Sequence, residues 1–587
     1  MRRVSRLCVA ALMSSGSVTC VAPDTSGGQA GPPHTPMAKT ARPRAKVVVS
    51  LVVDQLAAWV ANDRLPTLPR TGGFARLTRE GSYVVDARFA HAATDTAPGH
   101  AALYTCAEPA RSGVTSTERI DGSSARHHIS FLRDDETRLV STEGVSSLPG
   151  SSARHYALPT VADDLRSAKP LARIVSISLK DRSAIPGGGR SPSATLWFDP
   201  TLDGFVTSTA FAGRMPAWAE RAASHSAVEA LRSTPWTPLD EAWVASHSPT
   251  PDAQPGEGAW EGIGITFPHA LDEARKPSQA FRSSPRGDEA ILAIATAYVR
   301  SDDFASEPTL LALSLSSNDY VGHIYGVDSW EAWDNLERLD AGLAALFGEL
   351  DRAVGPEGWA AVLAADHGVT PMPETQSVKG ARPWCEAGAD RWSRPCDIGE
   401  RIDPVALEAA LESAARRAMA SEEDDTRWVL GIVDPYVVLS AQARALEDAK
   451  RDRLMTALLG VLRSTPGIAA AIDTSTLPSP CPEGDDDLSL VCRSFRVGAG
   501  DVYFFARPGS FVDVDYIPGH GTNHGSPRVF DRSIPILARD PGRIPAAVRI
   551  DEVEPFETFT RTVAGSLGLE APAACRRGRD LGTLAPP

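Results

Sequence analysis

No stretch of this sequence reaches the ~20 consecutive apolar residues that a bilayer-spanning helix needs, which excludes a helical membrane span from the reading. Basic residues are also in short supply: 59 Lys and Arg face 74 Asp and Glu, a formal net charge of −15. No Lys/Arg run interrupts that balance, so the basic face of a nucleic-acid binder is missing. An acidic chain can hold a phosphate ester only where metals or a local basic cluster create the attraction. Cysteines are sparse, eight in 587 residues, and none has the C-x-x-C spacing of a zinc knuckle. No internal repeat is evident.

What remains is ordinary for a folded protein, 42% hydrophobic and 23% charged, with length for one large domain with insertions or for several smaller ones. Arg2, Arg3 and Arg6 precede the short apolar run Leu7 to Met13, and small residues follow up to Cys20. That order predicts an export signal over residues 1–22 and a periplasmic or extracellular destination. A lipid anchor at Cys20 is the alternative, but Ser17, Val18 and Thr19 match a lipobox poorly, and plain secretion is preferred. Residues 23–44 are rich in Pro, Gly, Ser and Thr and read as a flexible linker. Cys385 and Cys396 lie close together in loop-like sequence, as do Cys481 and Cys492, which predicts two local disulfides in an oxidising compartment. Cys106 follows an apolar stretch and reads as a buried thiol, with Cys575 left over.

Order begins at Lys46 to Val53, a continuous β-branched run suited to a parallel strand buried on both faces. It ends in Asp54. Three further segments repeat the design: Ala172 to Leu179 leads into Lys180, Asp181 and Arg182; Leu310 to Ser317 into Asn318 and Asp319; Trp359 to Ala365 into Asp366 and His367. The pattern predicts an α/β fold with a mostly parallel central sheet and helices on both faces, whose ligands bind beyond the carboxyl ends of the strands. Trp330, Trp333, Leu336, Leu339, Leu343, Leu346 and Leu350 mark one apolar helix face, which is core rather than a cofactor site. Two stretches, about 183–285 and 371–520, break the rhythm and read as insertions that wall or cap the active edge; the second holds helical segments near 404–420 and 437–464.

The chemistry-bearing residues gather at those strand ends. Asp54, Asp319, His323, Asp366, His367 and His524 supply three carboxylates and three imidazoles in small-residue loops. Two zinc ions with three protein ligands each would use all six and keep open positions for substrate. Any one of them alone is more often a solvated loop residue; the signal is the set. Thr96 precedes Pro98, which suits the first turn of a helix, so its hydroxyl would face an anion-favouring helix N-terminus. Taken alone, a Thr there is more often a helix cap.

Six segments then carry a resemblance: Val53-Asp54-Gln55, Thr96-Ala97-Pro98-Gly99-His100, Ser178-Leu179-Lys180-Asp181-Arg182, Ser317 to His323, Ala365-Asp366-His367-Gly368 and His524-Gly525-Ser526. In this order they resemble the alkaline phosphatase superfamily, and within it the threonine-nucleophile phosphate-monoesterase branch related to type I phosphodiesterase/nucleotide pyrophosphatases. The resemblance implies an alkaline phosphatase-like catalytic domain over 45–575 and a phosphate-ester hydrolase with two zinc ions and a small-molecule phosphate ester as substrate. It implies that Thr96 is the covalent nucleophile. Asp54, Asp366 and His367 would hold the zinc that activates Thr96. Asp319, His323 and His524 would hold the zinc that steadies the leaving oxygen and later activates water. Lys180 and Arg182 would contact the phosphoryl oxygens, and His100 would be structural. His524 is preferred to the nearby His520 because it carries the His-Gly-Ser match. One position departs from the branch: Thr117 stands where it carries Asn, offering one donor in place of two. A phosphodiesterase on the same site is therefore the alternative activity, and an exported zinc-binding protein without catalysis the alternative class.

Overall fold

A strand apolar on both faces must be covered on both, and the computed structural model covers these. It describes residues 45–585 apart from 122–127, 379–381, 386, 388–389, 420–425 and 514–516. The export signal, the linker and Cys20 lie outside the described residues. Four strands form the middle of a 12-stranded sheet: Val47–Val53 (β1), Arg173–Ser178 (β2), Thr309–Leu315 (β3) and Trp359–Ala364 (β4). They are parallel and adjacent in the order β2, β3, β1, β4. Beyond β4 the sheet turns antiparallel at Ser533–Arg539, which pairs in turn with Ser82–Arg88. Beyond β2 come Ala194–Asp199 in parallel and Gly204–Ser208 in reverse, then the hairpin Arg133–Ser141 and Gly144–Ser151. The fold is α/β with a parallel centre and mixed flanks.

Helices follow the strands. Thr96–Thr105 (α1), Asp181–Gly188 (α2), Ser317–Tyr325 (α3) and Trp330–Val354 (α4) matter for the site. The stripe on α4 is buried from Trp333 to Leu350, and its leucines pack into the same core as β1, β3 and β4. Each such Leu, fully buried, contributes about 2 kcal/mol of transfer free energy. α1 is buried along its whole length.

The stretch 183–285 contributes Ala194–Asp199 and Gly204–Ser208 to the sheet. The stretch 371–520 folds a separate four-stranded sheet from Val429–Val433, Tyr436–Leu439, Ile468–Asp473 and Val502–Ala506, with its own core against helices Pro404–Met419 and Asp448–Ser464. The first helix lies where the sequence predicts it. The second starts at Asp448, because Tyr436–Leu439, with β-branched Val437 and Val438, forms a strand antiparallel to Val429–Val433.

Cys385–Cys396 and Cys481–Cys492 are disulfides, as expected. Cys106 is not a free thiol: it is bonded to Cys575, 469 residues away. α1 ends at Cys106, whose φ of 59° turns the chain toward the C-terminal segment. Sequence spacing carries no trace of that approach.

Candidate active site and metal centre

Parallel strands bring their carboxyl ends to one edge, and the candidate residues assemble there. Asp54 directly follows β1, Lys180 lies just past β2, Asp319 opens α3 after β3, and Asp366 and His367 follow β4. His524 arrives on a loop tied to this edge by two backbone bonds, Thr522 N–H to the Gly322 carbonyl (2.9 Å) and Thr370 N–H to the Asn523 carbonyl (3.0 Å). All six Asp and His candidates are buried. His520 is not among them; its ring bonds to the Pro518 carbonyl near the surface.

The three histidines are oriented alike. Nδ1 of His323, His367 and His524 lies 2.8–2.9 Å from the carbonyls of Thr522, Gly368 and Thr94 respectively. Each Nδ1 thus carries a hydrogen and each Nε2 is turned inward, where its lone pair is available to a metal once any proton is displaced, the arrangement of imidazoles that ligate metal. Nε2 of His323 and of His524 approach Asp319 Oδ1 at 3.1 and 3.5 Å. Nε2 of His367 stands 3.4 Å from Asp54 Oδ1 and 3.5 Å from Asp366 Oδ2. Two sets have ligand atoms within 4.8 Å of one another: Asp54, Asp366 and His367; and Asp319, His367 and His524. His367 belongs to both, and its ring stacks on His524 at 3.7 Å.

Asp54 Oδ1 and His367 Nε2 are buried and without a hydrogen-bond partner, and Asp366 Oδ2 meets His100 Nδ1 at 3.0 Å. Orphaned acceptors that face one another in a buried site are what a cation would satisfy. Mixed imidazole and carboxylate donors suit a borderline divalent ion such as zinc. The donor set therefore fits the metals that the resemblance implies.

Lys180 brings a fixed positive charge to the centre. Its ammonium bonds Asp54 Oδ2 at 2.7 Å, Asp319 Oδ2 at 2.6 Å and Thr96 Oγ1 at 3.2 Å, and it lies over the Tyr320 ring at 4.7 Å. Burial opposes its charge, but Asp319 and Asp54 outweigh burial and raise its pKa. Burial likewise opposes ionisation of Asp319, yet His323 and Lys180 hold that carboxyl well below the usual range. For His524 burial dominates, reinforced by His367, and the pKa is lowered.

Thr96 is the first residue of α1, not its cap. Asp95 is the cap, and its carboxylate accepts from Thr96 N–H at 2.7 Å, leaving the Thr96 hydroxyl to face Lys180. Thr117 Oγ1 accepts from Ala97 N–H at 3.2 Å, so it covers the next amide of the same helix start. Arg182 stands at the start of α2, half-buried, with its N–H donating to Asp181; Asp181 is in turn held by Ser130 and Ser151. Two further residues contribute: His100, expected to be structural, and Gln55, to which the sequence reading gave no role. His100 touches Asp366 Oδ2 at 3.0 Å and Ser314 at 2.8 Å. Gln55 bonds Asp319 and Asp366; its adjacency to Asp54 was the available signal.

Strands ending in Asp and His around a buried Thr at a helix start define a class. The chain belongs to the type I phosphodiesterase / nucleotide pyrophosphatase family, whose model matches residues 48–423, within the alkaline phosphatase superfamily. Among curated relatives, it is 28% identical over 502 residues to alkaline phosphatase PhoV of Synechococcus elongatus, covering 84% of this chain and 85% of that one. It is 26% identical over 544 residues to a protein of Myroides odoratus named calcium-transporting ATPase, covering 90% and 92%. The fold matches the crystal structure of wild-type alkaline phosphatase PafA with a TM-score of 0.76 at 23% identity, over 92% of this chain and 99% of that one.

Proposed function

We propose that this protein hydrolyses phosphate monoesters through a covalent phosphothreonine at Thr96. Asp54, Asp366 and His367 would hold one zinc ion, and Asp319, His323 and His524 a second. The observation that carries this reading is the convergence of three inward-facing Nε2 atoms and three buried carboxylates beside the Thr96 hydroxyl. Relatives named alkaline phosphatase support the monoester substrate.

Zinc supplies Lewis acidity here, lowering the pKa of a bound hydroxyl or water and offsetting charge on the phosphoryl and leaving oxygens. The rest falls to the chain. Thr96 Oγ1 bonds to phosphorus as the ester P–O bond breaks and the alcohol departs with a proton. Water then cleaves the phosphothreonine, releasing inorganic phosphate and restoring the hydroxyl. Lys180, 3.2 Å from Thr96 Oγ1, keeps a positive charge beside the oxygen that attacks. Lys180 and Arg182 grip the phosphoryl oxygens; a monoester, with its extra negative charge, gains more from them than a diester. The N-terminus of α1 adds its partial positive charge. Three disulfides among the described residues favour an exported protein working in an oxidising compartment.

One observation favours a second reading. Thr117 replaces the branch's Asn, which weakens a monoester clamp and would tolerate a diester. The deciding experiment compares turnover of an aryl phosphate with its diester analogue, in zinc-loaded, chelated and zinc-restored protein. Monoester preference, loss on chelation and recovery with zinc are expected, together with a phosphothreonine at 96 trapped in acid. Full activity in metal-free protein, or label on another residue, would sink the mechanism.

A further inference from the structure

Gln55 is buried at 2% exposure and has φ +64°, a left-handed conformation that few non-glycine residues adopt. That turn aims both of its amides at the centre. The side-chain Nε2 donates to Asp319 Oδ1 at 2.8 Å, and the backbone N–H donates to Asp366 Oδ1 at 3.1 Å. In each carboxylate Gln55 fixes one oxygen. Asp366 Oδ2 is left to His100 Nδ1 at 3.0 Å, and Asp319 Oδ2 is left to the buried Lys180 ammonium at 2.6 Å. Asp319 Oδ1, held by Gln55, is the oxygen that His323 Nε2 approaches at 3.1 Å. The carboxamide rests on the bare face of α3. A Cβ added to Gly322 would stand 2.2 Å from Gln55 Oε1, and Gly322 precedes the candidate ligand His323.

We propose that Gln55 is a positioning residue that braces the two metal groups into one unit, its side chain setting Asp319 and its backbone setting Asp366. The proposal rests on the two-zinc reading above. It divides the labour in a way that can be tested, because a side-chain substitution removes only one of the two bonds. Gln55→Gly keeps the backbone amide and favours the positive φ, so the fold is retained and only the support of Asp319 is lost. Gly322→Ala leaves Gln55 in place but pushes its carboxamide off Asp319.

The experiment is metal stoichiometry and affinity, by atomic emission after dialysis against graded chelator, on intact zinc-loaded protein. Wild type should retain two zinc equivalents per chain. Gln55→Gly should lose one of them at about 10–100-fold lower chelator strength, the usual effect of removing a group that orients a ligand, and hold the other as wild type does. Gly322→Ala should behave alike. Adding Asp319→Ala to Gln55→Gly should strip no further metal once the first ion has gone. Two ions held by Gln55→Gly with wild-type affinity, or both loosened equally, would overturn the brace. Fewer than two equivalents in wild type would instead overturn the two-zinc reading, and the brace with it.

Discussion

Replacing Lys180 by Met should destabilise the metal-free protein far more than the metal-loaded one. The ammonium, 1% exposed, sits 2.7 Å from Asp54 and 2.6 Å from Asp319. Removing one partner of a buried ion pair leaves the other charged and dry, and costs about 3–5 kcal/mol. Here two carboxylates lose the ammonium at once, but Asp319 keeps the Gln55 amide and Asp54 keeps His367 nearby, so a cost within that range applies to metal-free protein. Zinc ions bound by the same carboxylates would supply the missing positive charge, and the deficit should then shrink to less than ~1 kcal/mol, the scale of an ordinary packing adjustment. Catalysis should still suffer, since one charge-assisted hydrogen bond to the phosphoryl group, roughly 1.5–3 kcal/mol, is lost. That predicts a fall of about 10- to 150-fold in kcat/KM for an aryl phosphate. The assay is denaturant unfolding followed by tryptophan fluorescence, for wild type and Lys180→Met, with chelator and with zinc. Equal deficits in both conditions would show that Lys180 props up the fold and is not a counter-charge to the metal ligands. No deficit without metal would show that the ammonium does not lie between the carboxylates at all.

Metal-free protein should also lose stability as pH rises from about 6.5 toward 10, the pKa that Asp366 and Asp54 give His367 against the opposing effect of burial. A raised folded pKa stabilises fully below the unfolded value and fades through the folded one; zinc-loaded protein, with a neutral imidazole, should lack this slope, and a flat metal-free curve of urea midpoints against pH would refute it. Thr117→Asn should raise monoester kcat/KM by about tenfold, roughly the weight of one added charge-assisted hydrogen bond, because the Asn carbonyl can keep the Ala97 N–H while its NH2 faces the phosphoryl group. Steady-state rates unchanged in both Thr117→Asn and Thr117→Ala would mean that residue 117 does not touch substrate. Arg182→Ala should lose on the order of a few kcal/mol of transition-state stabilisation for monoesters and less for diesters, and an equal loss in paired rate measurements would assign Arg182 a structural role.

The four central strands were legible because each is a continuous apolar run that stops at a charged or imidazole side chain, and a parallel sheet turns those stops into neighbours. The long helix was legible from its stripe for the same reason of period. Other features depend on contacts that no local pattern encodes. Tyr436–Leu439 is a strand because Val429–Val433 and Val502–Ala506 flank it, although it runs into helix-forming sequence. The edge hairpin 133–151 is rich in charged and small residues and shows little alternation. Gln55 looks like any polar residue after a strand until its left-handed φ aims its two amides. Asp95, rather than Thr96, caps α1, and only the placement of Lys180 shows where the Thr96 hydroxyl points.

The Cys106–Cys575 bond gives the cysteines a schedule. Synthesis proceeds from the N-terminus, so Cys106 emerges at the foot of α1 and must wait while 469 further positions are made. Four other cysteines appear in the interval, each a rival partner. The rivals are paired at a separation of only 11 residues, 385 with 396 and 481 with 492, and short loops close with little entropic penalty. They can consume one another before the last thiol arrives. The helix that carries Thr96 is then the element stapled to the tail of the chain, so a copy truncated before residue 575 would retain every residue assigned to the active site yet lose the covalent fastening at the far end of that helix, leaving only contacts such as Thr560 Oγ1 to the Leu103 carbonyl.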